Sequence, residues 1–191
     1  MSAAVELLEG AVSNSNRRGR FIVTYTGIRF WPLDPRPEEI LIEDIAHSLS
    51  MQCRFNGHIE SFYSVADHCV RVSAECADEN KLCGLLHDAS EAYLCDIAGP
   101  IKKYFPEFIE MEKKIMKAIC LKYHMGIEMP DEVKRIDNAI LNDEKEQTMK
   151  YPYAHKWDSI SESFLGCKIK FYRPDEVEFL FLKKFLELKG I

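Results

Sequence analysis

The chain has 191 residues, of which 47% are hydrophobic and 29% charged, with a formal net charge of −6. That length suffices for one domain with a sizeable core, and the composition excludes a disordered or collagen-like chain and any run apolar enough to span a bilayer. The acidic balance argues against a broadly basic nucleic-acid-binding surface. Seven cysteines, at positions 53, 69, 76, 83, 95, 120 and 167, include no C-x-x-C pair and are odd in number. Free thiols behaving as small buried hydrophobes are therefore expected instead of disulfides. Reduced thiols, with no signal-peptide pattern, point to a cytoplasmic protein without membrane attachment.

In chain order, residues 1–20 read as a flexible leader: a short helix over 5–12, then a polar stretch whose Arg17, Arg18 and Arg20 are expected to be solvated. One domain is expected over residues 21–191. It begins with β-prone residues on either side of Gly27, which predict a short extended or hairpin segment. The three prolines Pro32, Pro35 and Pro37 hold the next stretch extended, because proline fixes φ and disfavours helix in the residue before it.

Ile42, Ile45, Ala46 and Leu49 then recur at helical spacing, and a helix is expected to about residue 53. Ser64 is placed to cap a second helix with Asp67 at its third position, and Val65, Cys69, Val72 and Cys76 share its apolar face, beside His68. A third helix is expected over residues 80–94. Pro106 opens a fourth, running to about residue 124 and ending at Gly126. Pro130-Asp131-Glu132 opens a fifth, in which Asp137 borders the apolar side made by Val133, Ile136 and Ile140. Pro174 starts a last amphipathic helix. No fixed-period repeat appears, so the fold class is all-α.

The chemistry concentrates at Leu86-His87-Asp88-Ala89-Ser90-Glu91. A carboxylate and an imidazole entered from an apolar run are costly to bury unless a cation stands beside them. With His68 and Asp137 they make a nitrogen and oxygen donor set suited to Mn, Co, Fe, Ni or Zn, with Mg also compatible. Adjacent helical residues point about 100° apart, so His87 and Asp88 reach one ion only if it lies against the helix between them. Asp143 is the rival to Asp137. His47, His58, His124 and His155 have no comparable context and read as surface or core-edge residues, with His58 nearest to a pocket rim.

The order His68, His87-Asp88, Asp137 on helices resembles the HD-domain metal-dependent phosphohydrolase superfamily. Ser64-Val65-Ala66-Asp67-His68, the His87 to Glu91 segment, Asp96-Ile97 and Pro100-Ile101-Lys102 together resemble small bacterial 5'-deoxynucleotidases and phage deoxynucleoside triphosphate hydrolases. The resemblance covers roughly residues 42–145. It implies an HD-domain helical bundle in which His68, His87, Asp88 and Asp137 ligate a divalent metal ion. It further implies Glu91 and Asp96 as catalytic groups, and Arg54, Phe55 and Lys102 as substrate contacts. Phe55 stands where the deoxynucleotidases carry tryptophan. The implied activity is 5'-deoxynucleotidase, with dNTP triphosphohydrolase, signalling-nucleotide phosphodiesterase and a catalytically idle metal-sensing module as alternatives. The implied partners are a small nucleotide substrate and further copies of the chain in a homo-oligomer, with no stable nucleic-acid partner.

Overall fold

A computed structural model describes residues 16–154, 157 and 163–191; the helix expected over residues 5–12 and the side chain of His155 lie outside them. An antiparallel hairpin of β1 (Ile22–Val23) and β2 (Arg29–Phe30) precedes seven α-helices among the described residues. These are α1 (Ile42–Met51), α2 (Val65–Glu75), α3 (Lys81–Leu86), α4 (Gly99–Lys102), α5 (Pro106–Tyr123), α6 (Asp131–Thr148) and α7 (Pro174–Lys189). The fold is all-α with a short N-terminal hairpin. No helix among the described residues is long and apolar enough to cross a membrane.

The apolar stripes read from the sequence meet in one main core. Ile45 and Leu49 of α1, Val65 and Cys69 of α2, Leu85 and Leu86 of α3, Ile115 and Ile119 of α5, and Val177 and Phe181 of α7 are fully buried together. A smaller cluster joins Val72 and Cys76 to Val133, Ile136 and Ile140, so α6 packs through its own satellite core against the far side of α2. All seven cysteines are free, and Cys69, Cys76 and Cys120 are buried.

Local chemistry sets the element ends. The Ser64 hydroxyl accepts from the Asp67 amide at 3.1 Å and so caps α2. Asp44 does more than favour the dipole of α1: it is buried, and its carboxylate accepts from the Thr26 amide at 2.7 Å and the Thr26 hydroxyl at 2.9 Å. This ties the hairpin turn to the bundle. Ordered structure begins before residue 21, because the Arg17 guanidinium lies 4.1 Å from the centre of the Trp31 ring and pairs with Asp34 and Glu39. Arg17 is therefore a structural anchor and not part of a solvated leader.

Two expected helix boundaries differ. α5 ends through His124, which takes the left-handed conformation at φ 57° while the Met125 amide reaches the Cys120 carbonyl at 2.9 Å; Gly126 is not the terminator. The helix expected over residues 80–94 is broken. α3 stops at Leu86, Asp88 turns to φ −102°, ψ 13°, and the chain continues as a tighter 3-10 turn over Ala89–Ala92. After the break the Asp88 Oδ2 lies 3.2 Å from the His87 Nε2.

α3 can approach α2 closely because residue 84 is glycine. A Cβ there would stand 2.9 Å from the Cys76 sulfur and 3.1 Å from the Ser73 Cα, the latter a backbone atom that cannot swing aside. Gly84→Ala is expected to destabilise the protein by roughly 1–3 kcal/mol and lower its Tm by several degrees in a thermal melt. Gly99→Ala, whose added methyl meets nothing within 4 Å, is the neutral comparison. Equal melting temperatures for the two variants would refute the close-packing account.

Candidate metal centre

α2 brings His68 fully buried into the interior, and the end of α3 brings His87 opposite it. The His87 Nδ1 lies 2.8 Å from the Gly84 carbonyl, which only accepts, so Nδ1 carries the proton. The His68 Nδ1 lies 2.7 Å from a Glu144 carboxylate oxygen and is likewise the donor. Both Nε2 atoms in the neutral rings are therefore lone pairs, and they face each other at 3.2 Å. Around them stand Asp137 Oδ1, at 3.1 Å from His68 and 3.7 Å from His87, and Asp88 Oδ2, at 3.6 Å and 3.2 Å.

Four acceptor atoms so close together require a shared positive charge. In the protein alone that charge is a proton. Burial pushes both imidazoles toward neutrality, yet Glu144 and Asp137 around His68, and Asp88 and Asp137 around His87, outweigh it and raise both pKa values. Asp88 and Asp137 are correspondingly held below the usual carboxylate range against the effect of their burial. Among the described residues, Arg54 is the one arginine or lysine within ion-pair distance of the Asp88, Asp137 and Glu144 carboxylates, which leaves two negative charges without a direct fixed counter-charge. The donor set and the missing charge both fit a divalent first-row cation. His68, His87 and Asp137 present ligand atoms within 4.8 Å of one another, and so do Cys69, His87 and Asp88. Burial pushes the Cys69 thiol up to about 11, which makes it a neutral neighbour at pH 7.

Glu144 was not apparent from the sequence as a site residue. Fully buried, it receives the Arg54 Nη2 at 2.9 Å, the Tyr63 hydroxyl at 2.8 Å and the His68 ring. A glutamate at the next position of the apolar stripe Val133, Ile136, Ile140, two turns beyond Asp137, was the available signal. Asp143, the rival to Asp137, is directed elsewhere: its carboxylate accepts the Leu165 and Gly166 amides at 2.7 and 3.0 Å.

The other expected site residues differ in their engagement. Glu91 is 7% exposed, with one carboxylate oxygen lacking any hydrogen-bond partner. Burial first, then the negative charges of Asp88 and Asp96, push it up to about 10, so it carries its proton at neutral pH. Asp96 is half-buried, and burial raises its pKa too. Gln52, also unforeseen, spans these two: its amide nitrogen donates to the Glu91 carbonyl at 3.0 Å and its oxygen accepts the Asp96 amide at 3.1 Å. Arg54 is buried, 4.0 Å from Asp88, with its guanidinium 5.3 Å from the Phe55 ring centre. Lys102 is turned to an ion pair with Glu112. Of the remaining histidines, His47 stacks on Tyr25 and bonds Glu178, while His58 is exposed.

Glu144→Gln is expected to weaken binding of Mn(II) or Co(II) by about 10–100-fold in a calorimetric titration, because the amide no longer fixes the His68 ring as a carboxylate does. Asp143→Asn should leave that affinity unchanged. Equal affinities in the two variants would remove Glu144 from the centre.

No family profile matches the chain. Over 125 residues, 65% of this chain, it is 42% identical to the uncharacterised protein YfdR of Escherichia coli K12, and the match spans 70% of that protein. It is 35% identical over 124 residues, 60% of this chain, to an uncharacterised protein of Rhodobacter capsulatus, of which the match spans 63%.

Proposed function

We propose that this chain, which belongs to the same protein family as YfdR, is a metal-dependent phosphohydrolase of the HD-domain superfamily that releases phosphate from deoxynucleoside 5'-monophosphates. The observation that carries this reading is the convergence of two imidazole Nε2 atoms and two carboxylates on one point, beside the buried Glu91 side chain, one of whose oxygens has no hydrogen-bond partner. His68, His87, Asp88 and Asp137 would hold the ion. When bound, such an ion neutralises phosphate charge and makes water a better nucleophile at neutral pH.

The remaining chemistry falls to the chain's own groups. Glu91 holds a proton and serves as the general acid, giving it to the departing 5'-oxygen. Asp96, fixed relative to Glu91 by the Gln52 amide, orients the attacking water and takes its proton as the new phosphorus–oxygen bond forms and the bond to the 5'-oxygen breaks. Arg54 stabilises the charge that builds on the phosphoryl oxygens while its other edge stays on Glu144. Lys102 contributes from behind its pair with Glu112. Both nearby cations are thus already partnered, a balance better matched to a monophosphate than to the larger charge of a triphosphate.

The test is product analysis with the purified chain given Mn, Co, Ni, Zn or Mg and a panel of deoxy- and ribonucleotide mono- and triphosphates. Inorganic phosphate from deoxynucleoside monophosphates is the expected product. Triphosphate from dNTPs, cleavage of signalling nucleotides alone, or binding without turnover would each replace this reading with the corresponding alternative. Glu91→Gln should retain the metal while kcat falls by about 100-fold or more; an unchanged kcat would remove Glu91 from the mechanism.

A further inference from the structure

Cys69 lies on the apolar face of α2 and is fully buried in the main core. Packing there asks only for a small apolar side chain, which a free thiol imitates. Its surroundings set it apart from the other cysteines. Among the described residues it is the one cysteine whose sulfur belongs to a group able to hold an ion, with donor atoms of His87 and Asp88 within 4.8 Å of it and of each other.

That group overlaps the one formed by His68, His87 and Asp137. His87 is common to both, and the Asp88 Oδ2 serves either, at 3.2 Å from the His87 Nε2 and 3.6 Å from the His68 Nε2. His68 and Cys69 are consecutive on α2, so their side chains leave the helix about 100° apart and meet His87 from different sides. An ion bonded to the Cys69 sulfur is therefore drawn away from the side held by His68 and Asp137. Because His87 and Asp88 are shared, the two positions cannot be filled together. The donors also divide by chemistry: two imidazoles with carboxylates suit an ion such as Mn(II), whereas a sulfur beside an imidazole suits a softer one.

We propose that Cys69, His87 and Asp88 form a second, sulfur-containing position of the centre, which takes thiophilic divalent ions and by doing so excludes the ion held through His68 and Asp137. The inference rests on the reading of this cluster as a metal centre and adds a means of regulating it. On binding, the sulfur–metal bond forms as the thiol proton passes to solvent. A thiophilic ion thereby blocks loading of the position that the phosphohydrolase reading requires.

The experiment titrates the reduced, metal-free full chain with Cd(II) and with Mn(II), followed by ultraviolet absorption and calorimetry. Cd(II) should raise a thiolate-to-metal charge-transfer band, Mn(II) should raise none, and added Cd(II) should release bound Mn(II), detected by its electron paramagnetic resonance. Cys69→Ser should abolish the band and weaken Cd(II) binding by about tenfold or more while Mn(II) binding is retained, which also shows that the variant is folded. Cys69→Ala, which puts no hydroxyl in the core, carries the same expectation. Asp137→Asn should reverse the pattern, with the larger loss on Mn(II), and Cys95→Ser, which alters an exposed thiol, should keep the band. A band that survives both Cys69 variants, or equal losses for the two ions in each variant, would overturn the proposal. Neither readout depends on turnover: a sulfur band without phosphate release from nucleotides keeps this position and sinks the hydrolase reading, and phosphate release without the band does the reverse.

Discussion

The buried Glu144 carboxylate is the interaction on which the site depends. It lies on α6, yet its partners come from α2 through His68 and from the segment between α1 and α2 through Arg54 and Tyr63. An ionised carboxylate without solvent is tolerable only when its lone pairs are filled, and here both oxygens are engaged. Arg54 and His68 hold it ionised against the effect of burial. Removing any one partner leaves a charge or donor stranded, which is why such networks resist partial change.

That network also explains how a peripheral helix can carry a central group. α6 packs mainly on α2, through the small cluster around Val133, Ile136 and Ile140 rather than through the main core. Its apolar hold is modest, and Glu144 supplements it from the same face. Since Asp137 sits two turns earlier, fixing Glu144 also fixes Asp137 over the two histidines. Close packing does the equivalent work on the other side, where Gly84 lets α3 settle against Ser73 and Cys76 and its carbonyl sets the His87 tautomer.

Much of the fold was legible in the sequence because periodicity, proline and the Ser64 cap are local signals. The hairpin, the starts of α2, α5 and α7 and the apolar faces all follow from neighbours a few residues apart. The break at His87 and Asp88 was not legible, since nothing in Leu86-His87-Asp88-Ala89 forbids a helix; the tighter turn serves a contact with residues far away in the chain. Glu144 was hidden for a related reason, as a glutamate is ordinarily taken for the solvated side of its helix. Lys102 shows the converse, a residue whose neighbour in space, Glu112, was invisible to local reading. The four proposed ligands could be singled out, but only the tertiary structure brings their donor atoms together.

Charge balance links these observations to chemistry. A site built only for stability would gain by pairing each buried carboxylate with a cation, or by replacing the set with apolar groups. Here Arg54 compensates Glu144, while Asp88 and Asp137 converge on two imidazoles that have already committed their protons elsewhere. Burial first, and then the charges of Asp88 and Asp96, keep the proton on Glu91, next along the same turn. The negative charge of Asp88 thus contributes both to the affinity expected for a divalent ion and to the retention of a proton on the neighbouring acid, where burial is the larger cause. A cation at Asp88 would relax only one of the three effects that hold the proton on Glu91, leaving burial and Asp96 in place, so the bound ion and a protonated Glu91 are compatible in one site.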